Sequence, residues 1–318
     1  MKMKWSLIIV ACFAGILSFG QNQNPNPNPR QEAMEQAATQ AANTPINFWG
    51  KVVDQNGNPI AGATATFSLP STSFSKDADS TTKIVVLSDA GGLFSLTGKT
   101  GAGISVWVSK EGYYSVSDQA DAGFLDYFRK SKYPQTSFNR AGAWQPFPTE
   151  QQPTIFTLTQ KGQPAANLIH KFLRVPIPKD GTPVNIDLAQ GRVVPSGQGD
   201  LQIQTWVTDN GKDVVHPFAW KCLVKVLGGG LQARAGKLDF HAPSSGYQPQ
   251  EQVSMGKDDE HWNKGMRRQY FLQLSGNRYA RVRFEMINGG NNLLNLHYFL
   301  NPTPGNTNLE SAQWSAAE

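Results

Sequence analysis

The sequence FWGKVVDQNGNPIAGATATFSL, residues 48–69, is the clearest indication of how this chain folds. Phe48, Gly50 and Val52 fall on one face of an extended strand, because successive side chains of a strand point to opposite faces. DQNGNP at 54–59 predicts a turn, since an Asn-Gly pair favours positive φ and proline interrupts a strand. A second strand then alternates in the same way. Its inward residues are Ala63, Ala65, Phe67 and Leu69.

The same alternation continues downstream in short segments. It predicts strands at 83–88, 93–97 and 104–110, with glycine-containing turns at 89–92 and 100–103. Short strands at close spacing, joined by such turns, are typical of an antiparallel β-sandwich.

Three of these segments carry a family resemblance: GKVVDQNGNPIAGATATF, then SDAGGLFSL, then ISVWVSKEGYY. In this order they resemble the carboxypeptidase regulatory-like domain family over residues 48–114, and a last strand expected at 154–160 would extend the match to residue 160. The resemblance implies a transthyretin-like, seven-stranded sandwich. Domains of this family occur beside peptidases, in outer-membrane receptors and in surface proteins, usually without catalysis of their own.

The first sandwich is predicted at 46–161, and an aromatic-rich insertion at 117–152 departs from the family pattern. Aromatic and basic side chains together could hold a sugar or a peptide. The alternative is a loop packed over the sandwich or over the domain junction. The aromatic residues are Phe124, Tyr127, Phe128, Tyr133, Trp144 and Phe147.

A second sandwich is predicted at 167–305, after a break at KGQPAA. Strands are expected at 184–188, 201–207, 219–227, 268–274, 279–287 and 293–300. They alternate in polarity, and no long 3.6-residue period appears. The fold class is therefore all-β, with two antiparallel β-sandwich domains and a C-terminal tail at 306–318. The second half resembles the C-terminal region of uncharacterised exported bacterial proteins, which implies no activity.

The amino terminus predicts export to the cell envelope or the extracellular space. Basic residues precede an apolar run at 5–17, and Ser18 and Gly20 are the small residues of a cleavage site, so residues 1–20 are interpreted as a signal peptide. A membrane anchor is one alternative, but this run is shorter than the ~20 residues that a spanning helix needs. Lipidation at Cys12 is another, because IVAC is similar to a bacterial lipobox.

Residues 21–45 are rich in Asn and Pro and then in Ala and Gln, which predicts a tether. The 318 residues carry a net charge of +5, and removing Lys2 and Lys4 with the leader leaves 27 basic and 24 acidic residues. This small excess predicts no nucleic-acid partner.

A search for catalytic motifs gives no identified active site. The five histidines begin no H-x-x-E and no H-E-x-x-H, so neither a metal site nor a cofactor is predicted. Cys222, the only cysteine of the mature chain, is either a nucleophile or a small buried hydrophobe. Residues 258–261, DDEH, are either a metal cluster or a solvated acidic loop.

The prediction is a non-catalytic exported protein that acts by binding or as part of the envelope. The alternative is a peptidase-associated or hydrolytic enzyme whose scattered site residues no motif reveals.

One surface is a candidate for binding. Inward-facing Ala280, Val282, Phe284 and Met286 leave Arg281 and Arg283 outward beside Tyr279. Lys221 and Lys225 point away from the face of Cys222. If these strands are neighbours in one sheet, the cationic face could hold an acidic envelope polysaccharide or another exported protein. The alternative is an ordinary solvated sheet face, whose charges prevent edge pairing.

Overall fold

The structure is a computed structural model that describes residues 29–70, 81–115, 121–130, 137–138, 144–145, 147–208 and 217–312. The predicted signal peptide with its cleavage site, Cys12 and the first part of the tether lie outside these ranges. Most of the remaining tether forms helix α1 (Pro29–Ala42), in which only Ala41 is buried, and its last residue, Pro45, begins the first strand. No helix among the described residues is long and apolar enough to cross a membrane.

The first sandwich contains two sheets, with strand orders β4-β1-β10-β6 and β3-β2-β5-β7-β8-β9. The strands are β1 (Pro45–Asp54), β2 (Thr64–Pro70), β3 (Thr81–Leu87), β4 (Leu93–Thr100), β5 (Gly103–Ser109), β6 (Tyr113–Tyr114), β7 (Asp121–Asp126), β8 (Ser137–Phe138), β9 (Trp144–Gln145) and β10 (Thr154–Gln160).

The second sandwich has a front sheet, β11-β20-β19-β18-β16, and a back sheet, β13-β12-β14-β15-β17. The strands are β11 (Ile169–Pro176), β12 (Val184–Asp187), β13 (Arg192–Val194), β14 (Leu201–Val207), β15 (Trp220–Val226), β16 (Gly230–Ala233), β17 (Gln250–Met255), β18 (Gly265–Leu274), β19 (Arg278–Ile287) and β20 (Leu293–Asn301). A short 3-10 helix, Ser275–Asn277, joins β18 to β19.

The predicted all-β architecture is confirmed, with one difference. β1 pairs with β10 in parallel, Gly50 opposite Thr154, so the first sandwich is not purely antiparallel. About a hundred residues separate the two strands. Parallel neighbours need a long crossover connection, and here the other strands of the domain lie within it.

The core of each sandwich lies between its sheets, where the alternation predicted it. Phe48 and Phe67 come from opposite sheets of the first domain and meet edge to face, with ring centroids 5.5 Å apart. Such aromatic pairs contribute about 1 kcal/mol beyond the area that they bury. Gly50 gives space to the ring of Phe94, since a Cβ at Gly50 would lie 2.3 Å from that ring.

The insertion is partly regular structure that continues the first sandwich. β7 pairs with β5, and β8 and β9 extend the sheet. Tyr127 and Phe147 are buried in the core, and the Tyr127 hydroxyl donates to the Asn47 carbonyl, so these two rings pack rather than form a platform. Phe124 is exposed. Tyr133 lies outside the described residues.

The prediction of a tail is wrong for residues 306–312. This segment folds back on the second sandwich, where Leu309 is fully buried and its N–H donates to the Phe240 carbonyl over 2.8 Å. The N–H of Ala242 donates to the Thr307 carbonyl over 3.0 Å. Residues 313–318 lie outside the described part of the chain.

Candidate functional site

The predicted cationic residues do not form one surface. Lys221 and Lys225 lie on β15 in the back sheet, whereas Arg281 and Arg283 lie on β19 in the front sheet. The outer faces of two packed sheets point in opposite directions. The expectation that these strands are neighbours in one sheet is therefore wrong, because alternation assigns a residue to a face but not a strand to a sheet.

Arg281 is buried despite its predicted outward position. Its side chain lies 3.7 Å from the ring centre of Phe299 and 5.0 Å from that of Phe240. Its Nε donates a 2.9 Å hydrogen bond to the Leu309 carbonyl. Tyr279, 5% exposed, is also covered. These two residues face away from the main core as predicted, but other parts of the chain lie on top of them.

The parts of the chain that lie over Tyr279 and Arg281 cover only one half of the outer face of the front sheet. Over one half lies a small apolar cluster of Ala242, Phe271, Tyr279 and Leu309, with Leu168 and Tyr247 packed against it. Within the part of the chain that the structure describes, the other half is left open. On β19 the change occurs between Arg281, 3% exposed, and Arg283, which is half-buried.

Two rows of side chains cross the uncovered half. We call the surface formed by the residues of these two rows the open half-face. In the first row, Phe172, His297, Arg283 and Gln269 follow one another through the strand register. In the second row the order is Arg174, Asn295, Glu285 and Arg267. Of the five predicted binding residues, only Arg283 lies here.

A shallow groove of about 310 Å³ lies within the open half-face. It is lined by Phe172, Arg283, Glu285, Asn295 and His297. Phe172 is 61% exposed, so a large apolar ring stands in solvent beside charged groups. An exposed ring among polar groups can stack on the apolar face of a ligand.

Glu285 is a carboxylate that lines this groove, and neighbouring donors hold it. Arg267 donates to Oε1 from Nη2, and Asn295 donates to Oε2 from Nδ2 over 3.2 Å. The hydrogen bond from Arg267 lowers the pKa of Glu285, with further lowering by Asn295 and by the charge of Arg283. The carboxylate is therefore ionised at neutral pH.

His297 is neutral at the same pH. Burial lowers its pKa to about 4, and the nearby His170, Arg281 and Arg283 add to the shift because they disfavour another positive charge. The Nε2 atoms of His170 and His297 lie 2.5 Å apart.

A larger cleft of about 820 Å³ opens between the two sandwiches. Gln55 and Thr159 line it from the first domain, and residues 233–239 and 267–269 line it from the second. Arg234 donates from Nη2 to Gln269 Oε1 over 2.7 Å. Since Arg267 and Gln269 belong to both the cleft and the open half-face, the two form one continuous surface.

The other sequence candidates have structural roles. Cys222 is fully buried, and burial, followed by the charge of Glu251, raises the pKa of its thiol to about 12. It is the small buried hydrophobe of the two alternatives. In the exposed loop 257–261, Asp259 accepts the Gly256 N–H over 2.6 Å. Within the described ranges, no three His, Cys, Asp or Glu side chains lie close enough to hold a metal ion.

Sequence reasoning missed β11 and with it Phe172, Arg174 and the position of His170. The pattern IHKFLRV contains a usable signal, since Ile169, Leu173 and Val175 lie toward the core. Lys171 interrupts this inward series and conceals the period of two.

Comparisons with known proteins give only distant similarities. A 3-chlorocatechol 1,2-dioxygenase from Rhodococcus opacus aligns at 18% identity over 38% of this chain and 62% of the other, with a TM-score of 0.25. The shaft pilin SpaA from Lactobacillus rhamnosus GG aligns at 10% identity over 78% and 95%, with a TM-score of 0.23. No family model and no curated protein matches the sequence. Membership of the carboxypeptidase regulatory-like family therefore stays a prediction.

Proposed function

We propose that this protein is an exported, non-catalytic binding protein whose open half-face holds an acidic polysaccharide of the cell envelope. The observation that carries the proposal is the row in which exposed Phe172 and half-buried Arg283 flank His297. An exposed ring can stack on the apolar face of a sugar, while a guanidinium group pairs with its carboxylate or sulfate groups.

The shape of the surface favours an extended ligand. The rows cross four strands, which at about 4.8 Å between neighbours span roughly 14 Å. Sites for small molecules enclose most of the ligand, whereas this groove is open along its length and continues into the cleft at Arg267. A polymer chain can follow such a path.

The charges favour an anionic ligand. The two rows contain three arginines and one carboxylate, which are Arg174, Arg267, Arg283 and Glu285. An Arg side chain has five N–H donors, and Arg267 contacts Glu285 through Nη2. The half-face therefore keeps an excess of positive charge.

The electrostatics also support binding without catalysis. A general acid needs a raised pKa near neutrality, whereas the pKa of Glu285 is lowered. Export is supported by the leader-like residues 1–20, and the resemblance of residues 48–114 to a family found in surface proteins agrees with it.

The test is binding of the full mature chain to polygalacturonate, with neutral dextran as the control ligand, measured by calorimetry at low and high ionic strength. We expect Arg267→Ala/Arg283→Ala to weaken binding by at least about tenfold, since charge-assisted contacts are lost. Phe172→Ala should weaken it at every salt concentration. Higher salt should weaken binding by the wild type.

Lys221→Ala/Lys225→Ala is the matched control, because it removes the same charge from the opposite face. We expect it to bind almost as the wild type does. Equal weakening by both double variants would mean that only net charge matters, and equal binding of dextran would also refute the proposal.

A further inference from the structure

Two histidines of adjacent strands meet at the boundary between the open and covered halves. His170 lies on β11 and His297 on β20, diagonally across the strand pair, since the register places His170 opposite Phe299. Their ring centroids are 4.7 Å apart, and their Nε2 atoms lie 2.5 Å apart. The two ring nitrogens therefore converge on one point.

Packing fixes the direction of both rings. His170 stacks on Phe299 with centroids 4.1 Å apart and planes 7° from parallel. Phe299 is buried and lies against the guanidinium group of Arg281. Phe172 approaches His297 from the other side, 6.5 Å between centroids. The convergence of the nitrogens is thus built into the sheet, even though His170 is exposed.

We propose that His170 and His297 form a site for a divalent transition-metal ion, of the class of Cu²⁺, Ni²⁺ and Zn²⁺, which prefer imidazole ligands. Two imidazole nitrogens this close can share only one hydrogen, so one ring donates and the other accepts. A cation can take the place of that hydrogen. Metal–nitrogen distances of about 2.0–2.1 Å would separate the two nitrogens by roughly 3 Å, so the rings need to part by about 0.5 Å.

The proton balance is simple. In a neutral histidine the hydrogen sits on one ring nitrogen, and the donor ring must move it from Nε2 to Nδ1 to present a lone pair to the metal. No net proton is released. The other coordination positions are filled by solvent, which reaches the site from the side of exposed His170.

Two features determine the affinity that we expect for the metal ion. The site has two protein ligands, fewer than the three or four of catalytic and structural zinc sites. Arg281 and Arg283 are close enough to lower the pKa of His297 by charge, and the same charges oppose a dication. Affinity should therefore be modest and should decrease from Cu²⁺ to Ni²⁺.

The experiment is titration of the full mature chain with Cu²⁺ at slightly alkaline pH, followed by calorimetry and by electron paramagnetic resonance. We expect His170→Ala and His297→Asn each to weaken Cu²⁺ binding at least about tenfold, whereas His241→Ala and His261→Ala, which alter histidines elsewhere, change it little. The resonance spectrum should show coupling to two imidazole nitrogens.

Equal Cu²⁺ binding by the wild type and His170→Ala would overturn the proposal, as would loss of binding in His261→Ala. Because His170 is exposed, its variant decides the matter even if His297→Asn fails to fold. The metal site and the polysaccharide surface share His297 but not His170, so His170→Ala also separates this proposal from the previous one.

Discussion

The hydroxyl of Tyr114 donates a 2.8 Å hydrogen bond to Oε1 of Glu310, a residue 196 positions further along the chain. The same oxygen accepts the N–H of Gly162 over 2.8 Å. Both side chains are buried. One carboxylate therefore joins the last residue of β6, the linker between the sandwiches and the C-terminal segment, so the domain junction is a specific contact.

Loss of this hydrogen bond should weaken the junction. We expect Tyr114→Phe or Glu310→Gln to lower the free energy of unfolding by about 1–3 kcal/mol. The first change removes the donor to a buried carboxylate, and the second removes the charge of that carboxylate. Denaturant unfolding of the single and double variants gives the coupling energy, expected to be at least about 0.5 kcal/mol. Tyr113→Phe, the neighbouring and less buried tyrosine, is the control. Additive effects of the two changes would contradict the contact.

The strands with regular alternation were predictable from sequence. β14 was expected at 201–207 and is observed there, and β10 likewise at 154–160. Ala280, Val282 and Phe284 are buried as the period of two requires. Local pattern is sufficient in these cases, because burial depends on which face of the sheet a side chain occupies.

The candidate binding surface was only partly predictable, because burial of its residues depends on distant parts of the chain. Arg281 points outward from β19 as expected, yet Phe240 and Leu309 cover it. Lys221 has the right alternation, but its strand joins the other sheet. Sheet partnership and covering loops are tertiary properties that periodicity does not contain.

The covering segment should contribute substantially to stability. Leu309 is fully buried in the small cluster over Tyr279, so Leu309→Ala leaves a cavity and should lower the free energy of unfolding by about 2–4 kcal/mol. Leu87→Ala is the matched control, since Leu87 is 64% exposed and its loss should cost less than about 0.5 kcal/mol. Denaturant unfolding measures both. Similar values for the two variants would mean that the segment does not pack as described.

Cys222 should be unreactive in the folded protein. Its thiol is buried with a pKa raised to about 12, and only the thiolate attacks electrophiles, so labelling by a thiol reagent at mildly alkaline pH should be very slow. The experiment uses a chain without residues 1–20, so that Cys12 is absent. Full labelling of Cys222 is expected once this chain is denatured. Mass spectrometry over time gives the rate. Rapid labelling of the native protein would show an accessible thiolate and would favour the nucleophile.

Stability should fall in mildly acidic solution because of His297. Its folded-state pKa of about 4 lies below the ordinary 6.5, since burial, His170, Arg281 and Arg283 all disfavour a charged ring. Below pH 6.5 the unfolded chain binds a proton that the folded chain does not. The resulting loss of folding stability is therefore absent above pH 6.5 and grows as the pH falls toward 4. Because solvent around the half-buried ring screens these charges, the loss in the free energy of unfolding should be roughly 1–2 kcal/mol.

His297→Gln removes this titration and should make the free energy of unfolding less dependent on pH between about 6.5 and 4.5. Glu285 has a lowered pKa, so its stabilisation is lost in more acidic solution, and both proteins should share that loss. His170→Gln is the informative companion variant. It removes one of the groups that lower the pKa of His297, so this pKa should rise and the pH dependence should lie between those of the other two proteins. Denaturant unfolding across this pH range measures all three, and parallel curves for wild type and His297→Gln would show that His297 titrates normally.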